Sequence, residues 1–254
     1  MPNRILVTGS TMGIGKGIIE RFHAGNWDVC VTGRDSTRVN EIKDKLNKIR
    51  ENSTIGLDCD LGQKIDVEKL CELVKEKWGT IDCLVLNIGS GSGAKGLSSD
   101  YMENFQSVHE NFLNAVHNFY SFAPFLEGNH KGGSIVFIGS IAQICNVNSP
   151  LAYAYSKRAL NTFSKYQALR LAKRNIMVNI INPGHIMTTS GTWSKKRNES
   201  PDLFNEFVSN NIPVGRIGEV EDIAEFVFLG ANRNSKNFLT GQQITIDGGT
   251  SSSH

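Results

Sequence analysis

Residues 4–15 read R-I-L-V-T-G-S-T-M-G-I-G, an apolar run followed by a glycine-rich turn. The run is β-branched and apolar and ends at glycines, which predicts a buried strand. A helix pattern follows the turn. Glycine lets the backbone approach a pyrophosphate, and the free N–H groups and dipole of a helix N-terminus favour negative charge. The spacing Gly9-x3-Gly13-x-Gly15 is not the commoner G-x-G-x-x-G, so its position between a strand and a helix is what predicts an anion-binding turn.

Strand and helix patterns alternate along the rest of the chain. Six alternations and a seventh strand predict a doubly wound α/β fold, a mostly parallel sheet with helices on both faces. Each candidate motif lies just after a strand, where such sheets bind ligands. The predicted strands are 4–8, 28–32, 53–57, 81–86, 133–139, 175–181 and 242–246. The predicted helices after the first are 39–49, 65–78, 100–126 with Asp100 as N-cap, 151–174, 201–210 and 219–229.

The bulk composition excludes several classes of protein. The 254 residues carry 27 basic and 25 acidic side chains, so no strong field favours nucleic acid or an anionic membrane as a partner. The apolar runs are too short to span a bilayer. Hydrophobic residues make up 39% of the chain, enough for a sizeable core, and no linker divides it. One domain over residues 1–254 is expected, with small molecules as its partners.

The cysteines indicate a compartment. There are five, an odd number, and none has C-x-x-C spacing, which is typical of buried thiols in a reducing cytoplasm rather than of disulfides. The first predicted strand begins almost at once, so no signal peptide is expected. No His, Cys and carboxylate cluster has metal-ligand spacing, so no metal is expected.

The residues after the second predicted strand bear on the choice of cofactor. At this position an acidic side chain selects NAD, whereas an arginine can hold the 2′-phosphate of NADP. Gly33 stands where the acid is expected and Arg34 comes next, which favours NADP(H) over NAD(H). The alternative is that Arg34 stacks on adenine or points to solvent, and Met12 in the glycine turn supplies no second positive charge.

Two further polar residues stand out. Asp60 follows the third predicted strand and could accept a hydrogen bond from the adenine amine, or could cap the next helix. Asn111 lies in the middle of the predicted helix 100–126. Because asparagine is a mediocre helix former, a buried one usually has a specific partner.

Ser140, Tyr153 and Lys157 form the candidate reaction centre. Ser140 ends the fifth predicted strand, and Tyr153 and Lys157 lie one turn apart on the next predicted helix. A phenol beside a fixed ammonium can donate or accept a proton, and a serine hydroxyl could hold a carbonyl or alcohol. The alternative is an exposed helical Tyr–Lys pair. The buried stripe of this helix is predicted to include Ala159, Phe163, Tyr166 and Leu169.

A segment around 185–212 is predicted to be a lid over the site, because it is inserted after the carboxyl end of a strand. Residues 189–201 are polar and irregular in pattern. Trp193, Lys195, Lys196 and Arg197 would suit a polar or anionic substrate, and the equal alternative is that they face solvent. His185 is interpreted as a loop residue with a backbone partner rather than as a substrate contact.

With these residues in place, the chain resembles the short-chain dehydrogenase/reductase family, in its short single-domain branch, over essentially its whole length. Any single match is common, whereas their joint order and spacing are specific. The resemblance implies a doubly wound (Rossmann) three-layer fold with a seven-stranded parallel sheet, assembled as a homotetramer or homodimer. The matching residues are T-G-S-T-M-G-I-G at 8–15, Asp60, Asn87, Asn111, Ser140, Tyr153, Lys157, Pro183-Gly184, Thr188 and Asp247-Gly248-Gly249.

The resemblance implies catalytic roles for Asn111, Ser140, Tyr153 and Lys157. Tyr153 would pass a proton to or from the substrate oxygen while hydride moves at the nicotinamide. Lys157 would bind the nicotinamide ribose and lower the pKa of Tyr153. Ser140 would orient the substrate, and Asn111 would hold a water that links Lys157 to solvent.

The resemblance also implies cofactor contacts. The glycine turn would cradle the pyrophosphate and adenosine, Asp60 and Leu61 would flank adenine, and Asn87 would steady the central strand near the ribose. Ile186 and Thr188 would contact the carboxamide. The predicted cofactor set is Gly9, Ser10, Thr11, Gly13, Ile14, Gly15, Arg34, Asp60, Leu61, Asn87, Gly89, Tyr153, Lys157, Pro183, Gly184, Ile186 and Thr188.

The chain departs from the family pattern in three places. The usual N-N-A-G is Leu86-Asn87-Ile88-Gly89, and the usual Ser-Ser pair is Gly139-Ser140. Residues 87–96 are rich in glycine, so a mobile substrate wall is expected there. None of these departures removes a catalytic group.

The predicted function is therefore an NAD(P)-dependent oxidoreductase that interconverts a carbonyl and a secondary alcohol. One alternative is a catalytically silent NAD(P)-binding sensor or scaffold, which would typically lack the tyrosine or lysine. Another is a sugar-nucleotide epimerase or dehydratase, which normally needs a larger carboxyl-terminal domain than this chain can supply.

Overall fold

The computed structural model describes residues 2–89, 101–189, 191–231 and 238–253, with Tyr101 described by its backbone alone. The sheet has the strand order β3-β2-β1-β4-β5-β6-β7, and every neighbouring pair is parallel. The predicted doubly wound α/β fold is thus confirmed. The strands are β1 (Arg4–Val7), β2 (Asp28–Gly33), β3 (Thr54–Asp58), β4 (Cys83–Leu86), β5 (Gly133–Ile138), β6 (Ile176–Pro183) and β7 (Gln243–Ile246).

Helices cover both faces of this sheet. They are α1 (Gly13–Ala24), α2 (Ser36–Ile49), α3 (Lys64–Lys77), α4 (Tyr101–Val108), α5 (Asn114–Phe122), α6 (Pro124–Glu127), α7 (Leu151–Leu171), α8 (Thr192–Glu199), α9 (Pro201–Asn211) and α10 (Val220–Ala231). Helices α1, α2 and α10 pack on one face, and α3, α5 and α7 pack on the other. Side chains alternate between the two faces of the sheet along a strand. Ile5 and Val7 therefore lie in the core under α1, α2 and α10, and Leu6 lies in the core under α3, α5 and α7.

The strand order places a crevice at the carboxyl end of β1. β1 pairs with β2 on one side and with β4 on the other, so the chain winds in opposite directions from this point. Ligands of open α/β sheets bind in the crevice at such a switch point. The glycine turn between β1 and α1 and the segment that follows β4 both open into this crevice.

The predicted helix 100–126 is not continuous. Its described part consists of α4, a π-helical turn at His109–Leu113, α5 and the short α6. The wider π-helical turn interrupts the regular hydrogen-bond ladder at Asn111. Pro124 begins α6, as expected for a residue without an N–H group. The predicted N-cap Asp100 and the glycine-rich residues 90–96 lie outside the described residues.

Two sequence predictions about helices are wrong. Residues 192–199, expected to be irregular, form α8, whose polar sequence has no apolar periodicity. The buried stripe predicted for α7 is wrong in part: Phe163 packs against the core, but Tyr166 is 66% exposed and Leu169 is 78% exposed. Small and polar residues, among them Ser156 and Ser164, are buried instead because they allow α7 to approach the rest of the fold closely.

No helix in the described part of the chain is long and apolar enough to cross a membrane.

Candidate active site

One large cavity of about 1240 Å³ runs along the carboxyl edge of the sheet. It reaches from the end of β2, past β1 and β4, to the end of β5 and the start of α7. Most of the residues predicted from the sequence line it. They are Gly9, Thr11, Ile14, Arg34, Asp60, Leu61, Asn87, Gly89, Ser140, Tyr153, Lys157, Pro183, Gly184, Ile186 and Thr188.

The glycine turn has the geometry of a phosphate cradle. Gly9 and Gly13 have φ angles of +64° and +53°, which L side chains rarely adopt. A Cβ at Gly15 would overlap the carbonyl oxygen of Gly9, so α1 approaches the turn as closely as it does only because Gly15 has no side chain. No side chain caps α1 and its first turn holds no acidic residue, which leaves its N–H groups available to an anion. The turn therefore fits a pyrophosphate.

Ser10 differs from its neighbours in this turn. It is fully buried, and its Oγ accepts a hydrogen bond from the Thr32 N–H at 2.9 Å. Its observed contact is thus with β2, outside the cavity lining. Gly13 and Gly15 also lie behind the lining, and their cofactor roles stay predictions.

Asn87 ties the end of β4 to the glycine turn. Its Nδ2 donates to the carbonyl oxygens of Thr8 at 3.1 Å and Gly9 at 3.0 Å, and its N–H donates to Thr8 Oγ1 at 2.9 Å. These bonds span 78 to 79 positions in the chain. Asn87 thereby fixes the two strands that flank the switch point.

The adenosine end of the cavity contains two arginines. Arg34 is exposed, and Arg38 lies one turn further along, at the start of α2. Asp35 caps α2 by accepting from the Arg38 N–H at 3.2 Å, and its other oxygen lies 3.2 Å from Arg38 Nε. Arg38 was not identified from the sequence, although its i+4 spacing from Arg34 was a usable signal.

The structure excludes the helix-cap interpretation of Asp60, while its contact with adenine stays a prediction. Its Oδ1 accepts from the Gly62 N–H at 3.0 Å, while the N-cap position of α3 is held by Gln63 without a side-chain bond. Asp60 thus shapes the turn that precedes α3 instead of capping the helix. It still lines the cavity, together with Gln63 and Asn114, which the sequence analysis did not single out.

Ser140 and Tyr153 meet at the other end of the cavity. Ser140 is the N-cap of a 3₁₀ turn at Ile141–Gln143, and its Oγ accepts from the Ala142 N–H at 3.1 Å. The Ser140 hydroxyl lies near the Tyr153 phenol. Burial raises the pKa of Tyr153 above its ordinary value, and the neighbouring Ser140 hydroxyl lowers it by less. In the chain by itself desolvation of the phenolate therefore dominates, and the lowered Tyr153 pKa expected with the cofactor bound stays a prediction.

Lys157 lies one turn beyond Tyr153 and is 3% exposed. Its Nζ donates to the carbonyl oxygen of Ile138 at 3.0 Å and lies 5.7 Å from the centroid of the Tyr153 ring. Burial lowers the pKa of Lys157 to about 8, because the ammonium loses its water shell. The alternative of an exposed Tyr–Lys pair is thus excluded by the burial of Lys157.

Asn111 lies behind Lys157, outside the cavity lining. It is fully buried in the π-helical turn, and its Nδ2 donates to the carbonyl oxygen of Ser107 at 2.9 Å. A Cβ at Gly89 would lie 2.7 Å from Asn111 Oδ1 and 2.9 Å from Lys157 Nζ. Both polar atoms therefore border the same small space at Gly89.

Comparison with known proteins identifies the family. A family profile described as enoyl-(acyl carrier protein) reductase matches residues 9–251. The chain belongs to the short-chain dehydrogenase/reductase family. It is 32% identical over 247 residues to the 3-oxoacyl-(acyl-carrier-protein) reductase FabG of Buchnera aphidicola, covering 96% of this chain and 95% of that protein. It is 30% identical over 245 residues to the 3alpha-hydroxysteroid dehydrogenase of Mediterraneibacter gnavus, covering 96% and 94%.

The structural comparison agrees. The NADP-bound structure of ElxO superposes with a TM-score of 0.89 at 25% identity, covering 99% of this chain and 100% of ElxO. The protein is thus an oxidoreductase of a family that binds nicotinamide cofactors. The glycine cradle, the Asn87 bonds and the cavity volume are what a dinucleotide of this kind requires.

In this short-chain dehydrogenase/reductase, the segment after β6 borders the substrate end of the cavity. Ile186 forms an isolated parallel bridge with Gly218, and the carbonyl oxygen of His185 accepts from the Gly218 N–H at 2.9 Å. The imidazole of His185 packs edge-on against Trp193, with ring centroids 4.8 Å apart. His185 therefore has the expected backbone partner and supports Trp193, which itself lines the cavity.

The basic residues of α8 are not part of the cavity lining. Lys195 and Arg197 are exposed, and Lys196 Nζ lies 4.5 Å from the centroid of the Trp193 ring. Thr192 and Trp193 are the residues through which α8 reaches the cavity. Within the described residues, no group of three or more His, Cys, Asp or Glu side chains could hold a metal ion.

Proposed function

We propose that the protein interconverts a carbonyl compound and a secondary alcohol with NADP(H), and that Tyr153 is the general acid and base. One observation carries this proposal. The Tyr153 phenol, beside the Ser140 hydroxyl and one helical turn from the buried Lys157, lines the same cavity as the glycine cradle. A proton donor thus shares one cavity with the proposed dinucleotide site.

The cofactor would be held along the carboxyl edge of the sheet. The N–H groups of α1 and the glycine turn would bind its pyrophosphate, and Lys157 would bind the nicotinamide ribose. Pro183, Gly184, Ile186 and Thr188, which line the nearby wall, would hold the nicotinamide. When bound, the nicotinamide supplies or accepts the hydride.

The residues of the chain would handle the oxygen and its proton. Ser140 Oγ accepts from the Ala142 N–H, so its own proton is free to point at Tyr153 or at the substrate oxygen. In the reducing direction Tyr153 gives its proton to the oxygen of the carbonyl as it becomes an alkoxide. The nearby Lys157 ammonium stabilises the phenolate that remains. Asn111, next to Lys157 at Gly89, is placed to hold a water that returns the proton.

The proposed preference for NADP(H) is supported by charge and by shape. Arg34 and Arg38 both line the adenosine end, and Arg34 makes no ion pair with any described residue. Two guanidinium groups one helical turn apart suit a 2′-phosphate. No acidic side chain occupies position 33, because that residue is glycine.

The segment 185–212 is proposed to be a lid over a small-molecule substrate. Its helices α8 and α9 are held together by Trp193 and Phe207, whose ring centroids lie 4.6 Å apart. Lys196 lies on this aromatic pair, 5.7 Å from the Phe207 centroid. The classes named by the relatives, 3-oxoacyl thioesters and oxosteroids, are the first substrates to test.

We also propose a homo-oligomer, a dimer or tetramer. Helix α7 exposes an apolar surface, here called the α7 face, formed by Leu151, Tyr155, Tyr166 and Leu169. These side chains are between 45% and 78% exposed and lie on one side of the helix. Large exposed apolar side chains that share one side of a helix are typical of a surface that is buried against another chain.

A cytoplasmic location remains part of the proposal. All five cysteines are free thiols, and Cys30, Cys59 and Cys83 are buried. Burial raises the pKa of Cys59 to about 12, so this thiol stays protonated and inert at neutral pH. Free structural thiols are usual in reducing compartments.

The replacement Tyr153→Phe tests the function. It should lower kcat for reduction of a carbonyl by at least about a hundredfold, because general acid catalysis is lost, while the Kd for NADPH changes by less than about twofold. Tyr155→Phe, two positions away and 45% exposed, is the matched control and should retain full turnover. Undiminished activity of Tyr153→Phe would refute the role. Tight cofactor binding without turnover of any carbonyl or alcohol by the unchanged protein would favour the sensor alternative.

A further inference from the structure

The turn that carries Ser140 is attached to the neighbouring strand on both sides of the serine. On one side, the Gly139 N–H donates to the carbonyl oxygen of Ile181 in β6 at 2.7 Å. On the other side, Gln143 Nε2 donates to Asn182 Oδ1, one residue further along β6. Asn182 is fully buried and Gln143 is 5% exposed, so this amide pair is sealed from solvent.

The Asn182 amide also lies directly against Gly139. A Cβ at Gly139 would overlap Asn182 Oδ1, and it would lie 3.1 Å from the Ile180 side chain. This explains why glycine precedes Ser140 where the family pattern has a second serine. The space of that side chain is occupied by the asparagine amide. Gly139 and Asn182 are thus a matched pair.

A third attachment comes from the catalytic helix. Arg158 Nη1 donates to the carbonyl oxygen of Gln143 at 3.1 Å, and Arg158 follows Lys157 in α7. The side chain of Gln143 therefore holds the turn to β6 while its backbone holds the turn to α7. Ser140 lies between these anchors. Its Oγ accepts a hydrogen bond from the Ala142 N–H, which belongs to the same turn.

We propose that Asn182 and Gln143 are positioning residues that set the place of the Ser140 hydroxyl relative to Tyr153. The proposal rests on the proposed reaction. The hydrogen bond between these two buried side-chain amides resists movement of the turn. Breaking it would leave both amide groups buried without partners, which costs free energy. Asn182 Nδ2 already lacks a hydrogen-bond partner within the described residues, so Asn182 Oδ1 is the atom that secures the turn.

The kinetic test is a double-mutant cycle with Ser140. Asn182→Ala should lower kcat about tenfold or more, since misplacing a catalytic group by about 1 Å can cost a hundredfold in rate. The Kd for NADPH should change by less than twofold. In a Ser140→Ala background, Asn182→Ala should lower kcat no further, because the group that it positions is already gone. An equal loss in both backgrounds would overturn the proposal, since a merely structural effect is additive.

Asn179→Ala is the matched control. Asn179 lies on the same strand and is also buried, but its amide bonds the Leu239 carbonyl at 2.8 Å and the Gln242 N–H at 3.0 Å. Those partners lie on the β7 side, away from Ser140. Asn179→Ala should therefore destabilise the protein without changing kcat. If it lowered kcat as Asn182→Ala does, the effect would belong to β6 in general and the proposal would fail.

A double-mutant cycle that measures thermal stability tests the contact between Gly139 and Asn182 without measuring turnover. Gly139→Ser alone should lower Tm by about 5 °C, because its Cβ overlaps the Asn182 amide. In an Asn182→Ala background the same substitution should lower Tm by about 2 °C or less, since the space is then open. An equal loss in both backgrounds would show that the amide does not occupy that space. This readout separates failure of the inference from failure of the proposed reaction.

Discussion

Thr11 fills the space that a side chain at Gly33 would need. A Cβ at Gly33 would lie 2.6 Å from both Thr11 Cγ2 and Thr11 Oγ1. Gly33 is the position at which NAD-specific folds of this kind carry an acid. The two residues together thus exclude that acid, and the contact joins the glycine turn to the end of β2.

The pair predicts a cofactor switch that needs two substitutions. Gly33→Asp alone should impair binding of both cofactors, because the new side chain collides with Thr11. Thr11→Ala/Gly33→Asp should bind NADH better than the unchanged protein does and NADPH at least about tenfold more weakly, since the acid repels the 2′-phosphate. Titration by nicotinamide fluorescence measures both constants. Equal behaviour of the single and double variants would contradict the role of Thr11.

Arg38 is predicted to share the 2′-phosphate with Arg34. Arg34→Ala and Arg38→Ala should each raise the Kd for NADPH about tenfold, the usual value of a charge-assisted hydrogen bond, and leave the Kd for NADH within twofold. Lys43→Ala is the control, because Lys43 is a half-buried cation on the same helix, bonds Asn40 Oδ1 and does not line the cavity. Parallel loss of NADH and NADPH binding would instead place the arginines at the adenine.

The buried ammonium of Lys157 predicts a pH-dependent stability. The pKa of Lys157 is about 8 in the folded chain and about 10.4 when unfolded, so between these values the unfolded chain binds more protons. Stability contributed at this site therefore rises with pH from 8 to about 10.4. Lys157→Met should be more stable than the unchanged chain at pH 7, and the difference should shrink by up to about 3 kcal/mol by pH 10.

Denaturant unfolding of both chains without cofactor, at several values of pH from 7 to 10, measures this difference. The titration of the buried thiols is common to the two chains and cancels, and a Tyr153→Phe background in both removes the titration of the phenol next to Lys157. A difference in unfolding free energy that stayed constant over this range would show that Lys157 titrates normally.

The α7 face is predicted to hold the oligomer together. Leu169→Glu should lower the mass measured by light scattering to that of a smaller species, because a charge would be buried in an apolar contact. Leu203→Glu, on the exposed side of α9 at 66% exposure, should leave the mass unchanged. A monomer in the unchanged protein, or an unchanged mass for Leu169→Glu, would contradict the proposal.

The sequence by itself determined the fold and the identity of the central site residues. Strand and helix periodicity are local properties of the chain, and parallel strands put their carboxyl ends at one edge of the sheet. The glycine turn, Ser140, Tyr153 and Lys157 could therefore be placed at that edge from their positions after predicted strands. The i+4 spacing was sufficient to put Tyr153 and Lys157 side by side.

The tertiary structure decided what depends on residues distant in the chain. The face that α7 buries is one example. The spacing of its apolar residues allows two apolar faces, and only packing shows which of them is exposed. The π-helical turn at Asn111 is another, since no local pattern marks it. The Asn182–Gln143 bond joins residues 39 positions apart, and the Thr11–Gly33 contact joins the glycine turn to the end of β2. Such contacts arise from how the strands and turns pack in space, which local sequence periodicity does not encode.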